Sequence, residues 1–364
     1  MRISPAISPL FLQSLLDAFE RGMGRDEAAN GIMALPKKER SHLLSRIDKS
    51  LPPEKRMHRF LSLLYFGKAR LSKKEKLSLD SYFPSLTRYD GEKLKENPYY
   101  RALTSLPSFR AGELSFEMQA YEPFVPFVLG EKQVGPLYEE VTPLGYVAAK
   151  LLYPALRKGK TNWMEVIPHE IATMEEYVTQ AKGDILLYGL GLGYVAYMCG
   201  RKKEVTSLTI IEQDPEVIEV FQRHFLPLFP DGGKLRIIEG DALAFAAAAP
   251  KGAYDSLFAD LWHNADDGLP LYQKLLKAEG TAKRDFYWIE QAMLAYFRRF
   301  LILLLVEEGL EQSGDEAYLS PETASDAYLC KLHFALKEVE LRDEAEVLDF
   351  LSESSLRSLL RKLD

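Results

Sequence analysis

Over the first 95 residues the apolar positions recur with a helical period. Leu10, Phe11, Leu15, Leu16 and Phe19 fall on one face, and 37–47 and 57–65 repeat the pattern, with Leu51-Pro52-Pro53 as a break between them. The texture changes near Pro98. Residues 115–121 alternate apolar and polar, as a half-buried strand does, and 123–129 and 134–141 read as further strands around a turn at Gly130. Residues 142–156 then read as a helix that ends before Arg157, and Pro168 opens another.

From Gly183 a different rhythm begins. The short apolar run 185–187 has the look of a buried parallel strand. It leads through Tyr188 into Gly189, Gly191 and Gly193, and then into a helix from Tyr194. Glycines at alternate positions allow a sharp turn and a close backbone approach to a ligand, and the helix start offers free N–H groups to an anion. A second strand, 205–211, ends in Glu212-Gln213, followed by an Asp214-Pro215 helix start. A third, 234–238, ends in Glu239-Gly240-Asp241-Ala242, and a fourth, 254–259, ends in Asp260-Leu261-Trp262-His263. Strands alternating with helices predict an α/β unit whose strand tips share one polar rim, where such sheets bind ligands.

The residue types on that rim favour an adenosine ligand. Glu212 lies 23 positions after Gly189, close to the spacing of roughly 20 at which a carboxylate meets a ribose diol. A nicotinamide or flavin fingerprint requires a glycine at position 194, where Tyr194 stands. The plainer alternative is that the glycines only build a turn and the acids only cap helices.

The stretch 160–275 resembles the class I S-adenosylmethionine-dependent methyltransferases, including their spermidine-synthase branch. Gly189, Gly191 and Gly193 match the family's G-x-G-x-G turn, Glu212 its ribose acid, Asp241-Ala242 its adenine-reading pair, and Asp260 its acid after the fourth strand. The resemblance implies a Rossmann-like domain with S-adenosylmethionine as cofactor. Tyr188, Gly189, Gly191, Gly193, Glu212, Gln213, Asp241 and Ala242 would then hold it. The segment Pro168-His169-Glu170, with Thr173, is similar to one that lines the pocket in spermidine synthases. That adds Glu170 to the cofactor residues; its plain reading is a first-turn acid facing the helix dipole. The loop after the fourth strand is where the acceptor meets the transferred group, which makes Asp260 and His263 the candidate catalytic pair and Trp262 a candidate wall.

Two departures bear on the acceptor. The chain lacks the Asn/Asp-Pro-Pro-Tyr/Phe signature of amino-group methylation, and His263 stands where an Asp-x-x-Asp pattern needs its second acid. Methyl transfer to an unknown acceptor is the favoured activity. The alternatives are aminopropyl transfer, with Asp260, Asp266 and Asp267 to hold a polyamine, and a non-catalytic sensor of the same ligand.

At 364 residues the chain is expected to form more than one unit. The division read here is a helical unit at 1–96, a β-rich connector at 97–160, and the Rossmann-like domain with a helical tail at 161–364. Residues 1–96 hold 19 Lys/Arg against 12 Asp/Glu, net +7, while the remainder is net −14. A basic unit can meet nucleic acid, but no run is denser than 72–76, and a solvated helical surface is the favoured reading. The two cysteines, Cys199 and Cys330, have no metal-ligand spacing, so no metal is expected. The start of the chain has no signal-peptide texture and the apolar run 300–306 is too short for a bilayer, which predicts a cytoplasmic protein. His42, His58, His224 and His333 read as structural. Residues 285–310 and 321–364 read as amphipathic helices, with 301–306 and 332–336 as the alternative strands that would finish a larger sheet.

Overall fold

The computed structural model of the chain describes residues 1–310 and 323–363. Four helices come first: α1 (Pro9–Met33), α2 (Lys37–Ser45), α3 (Pro53–Phe66) and α4 (Lys73–Tyr82). Ser8 caps α1, and Ser72 with Glu75 closes a reciprocal capping box on α4. Their apolar faces, including Ile32, Phe60, Leu61 and Leu79, form a small core with Phe124, Leu144 and Tyr146. Helix α5 (Pro98–Thr104), capped by Asn97, instead turns Tyr99 and Leu103 into the main core.

An antiparallel sheet follows, built from β1 (Phe109–Ala111), β2 (Leu114–Tyr121), β3 (Leu151–Lys158) and β4 (Thr161–Glu165) in the order β4-β3-β2-β1. Here the structure corrects the expectation of a helix over 142–156. Leu144–Tyr146 pairs with Thr87–Arg88 and Phe127–Val128, while β3 lies against all eight residues of β2, from Leu114↔Lys158 to Tyr121↔Leu151. The apolar spacing of the segment fits a helix locally, but a complete cross-strand partner outweighs that preference. The strands expected at 123–129 and 134–141 shrink to Phe127–Val128, Gln133–Val134 and Glu140–Val141. Pro123, Pro126 and Pro136 remove the N–H donors that longer ladders need.

After α6 (Pro168–Gln180) the chain alternates regularly: β5 (Gly183–Tyr188), α7 (Tyr194–Gly200), β6 (Val205–Glu212), α8 (Pro215–Val220), β7 (Leu235–Glu239), α9 (Ala242–Ala248), β8 (Ser256–Ala259), α10 (Ala265–Lys277) and β9 (Asp285–Tyr287). All five strands run parallel in the order β7-β6-β5-β8-β9, a Rossmann-like arrangement. Covered on both sides, 185–188 are buried throughout. The four expected strands are present, and a fifth lies at 285–287 inside a stretch read as helix.

Neither 301–306 nor 332–336 is a strand. The first lies in α11 (Glu290–Gly309), and most of the second in α12 (Ala324–Ala335). The first run is apolar on every side because α11 is wrapped by α1, α10, α12 and the C-terminal α13 (Glu353–Lys362). The expectation of a helix from Pro321 begins outside the described residues. Among the described residues no helix is long and apolar enough to cross a membrane.

Candidate functional site

The parallel sheet reverses direction of growth at β5, and the cleft sits there, at the carboxyl ends of β5, β6 and β8. Gly189, Gly191 and Gly193 have φ of 87°, 56° and 81°, a left-handed path that side chains disfavour. At Gly189 space is also decisive, since a Cβ would run into the backbone carbonyl of Asp260. The turn is pinned from both directions: Gly189 N–H donates to the Ile211 carbonyl at 2.9 Å, and the Leu192 carbonyl accepts the buried hydroxyl of Tyr99.

Glu212 ends β6 facing this turn. Its Oε2 accepts the Leu190 N–H at 3.0 Å and its Oε1 accepts the Asp214 N–H at 2.9 Å. A carboxylate has about four lone-pair positions, so both oxygens retain capacity for a ligand hydroxyl. Asp241 ends the loop after β7 and caps α9 by accepting the Ala244 N–H at 2.7 Å. Asp260, after β8, is tied to β5 by its own N–H on the Tyr188 carbonyl at 2.8 Å. Burial first, and then the neighbouring charge of Glu212, raise the Asp260 carboxyl to about 7.

These residues face one cavity of about 720 Å³, a volume typical of small-ligand sites. Gly189, Gly191, Gly193, Glu212, Gln213, Asp241, Ala242, Glu170, Asp260 and His263 all line it, with Trp262 as a wall. Tyr188 does not: with the side chains of a strand pointing alternately to opposite faces, Leu187 takes the cleft side and the Tyr188 ring packs edge-on to Phe245. Its place among the expected cofactor residues is therefore corrected to the core. Asp266 and Asp267 also lie off the cleft. Asp266 accepts the Tyr296 hydroxyl at 2.7 Å, and Asp267 closes a capping box with Asn264 on α10. Asp267 also sits 3.0 Å from Nδ1 of the exposed His263, which orients that ring at the cleft mouth.

Glu170, in the first turn of α6, has its carboxyl held well above the ordinary range by burial, then by Asp260 and Glu165. His169 beside it is kept neutral by burial, its value pushed down to about 4, and Thr173 accepts the Trp288 indole N–H at 2.9 Å; neither lines the cleft.

One wall was missed in the sequence. The β3–β4 hairpin, half of it read as helix, brings Lys158, Asn162, Trp163 and Glu165 over the opening. Glu165, held by Asn162 at 2.5 Å, is also raised by burial. Trp288, after β9, lines the far side. Tryptophan rarity is the signal that was available: the chain has three, and all three line this cleft.

The site is strongly acidic. Glu165, Glu170, Glu212, Asp214, Asp241 and Asp260 line it, and Lys158 is the only lysine or arginine among the described lining residues. Such a cleft favours a ligand bearing positive charge.

No family model matches the chain, and no curated protein does. Among solved structures, spermidine synthase from Thermotoga maritima is similar at 15% identity over 41% of this chain and 55% of that one, with a TM-score of 0.30. A spermidine synthase in complex with the transition state analogue AdoDATO gives 13% identity, 48% and 52% coverage, and 0.29. PigF with SAH gives 18%, 28% and 32%, and 0.21. The chain thus spans about half the length of the two spermidine synthases it matches.

Proposed function

We propose that the protein is an S-adenosylmethionine-dependent transferase, and that the transferred group is the methyl. One observation carries this reading: a left-handed glycine turn, with Gly189 pressed against Asp260, faces the Glu212 carboxylate across a single acidic cavity. The turn at 189–193 admits a ligand close to the backbone, Glu212 takes the ribose hydroxyls, and Asp241 takes the adenine amine. The net positive charge of the ligand suits the carboxylates around it.

When bound, the cofactor supplies an alkyl group already activated on a positively charged sulfur. The chain has only to position the acceptor and receive its proton. Asp260 is suited to that task, because a base with a value of about 7 is half ionised near neutrality and can take a proton from an incoming nucleophile. Trp262 and Trp288 restrict water on one side; the Trp262 indole N–H is satisfied by the Trp288 carbonyl at 3.0 Å.

A second reading, aminopropyl transfer, is favoured by Glu165 and Glu170 beside Asp260. These, rather than Asp266 and Asp267, are the carboxylates available to hold an amine. Calorimetric titration with S-adenosylmethionine, its decarboxylated form and NAD separates the possibilities. Methyl transfer requires the first to bind tightest, aminopropyl transfer the second. Tight NAD binding with neither of the others would overturn both. Tight binding with no product from any acceptor pool would leave a sensor.

A further inference from the structure

The β3–β4 hairpin has an irregularity at one residue. Asn162 pairs with Arg157 and Met164 with Leu156, so Trp163 has no partner position and is extruded as a bulge on the edge strand. A bulge turns a side chain out of its strand's alternation, and such features gather beside functional sites. Here the re-aimed side chain is an indole on the wall of the cleft. Trp262 and Trp288 have their indole N–H groups hydrogen bonded within the protein, at 3.0 and 2.9 Å. Trp163 is held by ring contacts: the His263 ring lies edge-on at 5.3 Å, and Lys158 Nζ stands over its face, 4.5 Å from the centroid. Lys158 is itself tethered to Asp214 Oδ2 at 3.3 Å, at the rim next to Glu212.

An aromatic face attracts a cation within about 6 Å of its centroid, and tryptophan does so most strongly. The face of Trp163 thus already holds a positive charge, supplied by the one lysine in the described lining. From the geometry we infer that the indole face of Trp163 is a binding subsite for an organic cation carried by the ligand, with Lys158 occupying it when the ligand is absent. This rests on the cofactor reading above and deepens it. The indole reads the charge on the ligand's sulfur, and the Lys158 ammonium, freed from the ring, keeps its partner Asp214.

The test compares two ligands that differ by one methyl group and the positive charge it confers: S-adenosylmethionine and S-adenosylhomocysteine. Their affinities are measured by calorimetry on the full chain and on Trp163→Phe, Trp163→Leu and Lys158→Gln. In Trp163→Leu the charged ligand is expected to weaken by about threefold to thirtyfold, the range of a partly desolvated cation–π contact, while the neutral one stays within about twofold. Trp163→Phe should retain part of the preference. Lys158→Gln, which removes the competing cation, should tighten the charged ligand relative to the neutral one. Equal weakening of both ligands in Trp163→Leu would mean that the ring is only a wall, and unchanged affinities would mean that it is not in the site; either overturns the inference alone. If the unaltered protein binds neither ligand, the cofactor reading fails and this subsite fails with it.

Discussion

Glu212 Oε2 and the backbone N–H of Leu190 are joined at 3.0 Å, which ties the tip of β6 to the middle of the glycine turn on β5. The residue that would hold the ribose therefore also shapes the turn. Glu212→Gln keeps one acceptor oxygen, enough for the Leu190 N–H that holds the turn, but sets an amide NH2 against the Asp214 N–H, whereas Glu212→Ala leaves both N–H groups without an acceptor. We expect both to weaken S-adenosylmethionine binding, the alanine by more than about tenfold. Both should also lower stability, the alanine more, by about 1–3 kcal/mol. Calorimetry and urea unfolding check the pair; an unchanged affinity in both would remove the ribose assignment.

The glycines of the turn should not be equivalent. All have positive φ, which costs a side chain about 1–2 kcal/mol. A Cβ at Gly191 makes only an ordinary contact, 3.9 Å from the Gly193 nitrogen, while one at Gly189 meets the Asp260 carbonyl and one at Gly193 meets the Phe221 ring. Gly191→Ala should therefore fold with a small loss, and Gly189→Ala should lose considerably more. Denaturant midpoints read the difference, and equal losses would contradict the close approach at Gly189.

Asp260 gives the cleft a pH signature. A carboxyl that holds its proton more tightly in the folded chain than in the unfolded one makes stability fall as pH rises from about 3.8 to about 7, and the slope levels off above that. Asp260→Asn should flatten this decline in a melting-temperature profile. A cationic ligand favours the ionised form, so its affinity should rise over the same window, and binding below pH 7 should release protons. Calorimetry in buffers of different ionisation enthalpy measures that release; uptake of protons would refute the assignment.

Tyr99 reaches the site from outside the parallel sheet. Its ring is buried in stacked contact with Tyr197, 4.4 Å between centroids, and its hydroxyl donates to the Leu192 carbonyl. Tyr99→Phe leaves that carbonyl without its donor at a cost of about 1–2 kcal/mol. Faster amide exchange confined to 190–194, with weaker cofactor binding, is the expected result. Exchange rising evenly over the whole chain would show a general loss of packing instead.

The parts legible in the sequence were those that local chemistry encodes. The glycines after β5, the β-branched run of β6 and the acids at strand ends are each demanded by backbone geometry within a few residues. What failed depended on distant partners. Residues 151–156 look helical until β2 is placed beside them, and Phe286 joins a strand too short to carry a period. The cleft wall went unseen for the same reason, since Trp163 owes its direction to a mismatch with 156–157 rather than to its neighbours in sequence. Tyr188 is a different case: it borders the glycine turn in sequence, but the strand's alternation sends its ring to the opposite face.

With every tryptophan of the chain lining the same cavity, emission excited beyond the tyrosine absorption edge arises from that cavity alone. The protein thus carries a built-in optical probe of its cleft, and occupancy can be followed in the unlabelled, unaltered chain by quenching or spectral shift.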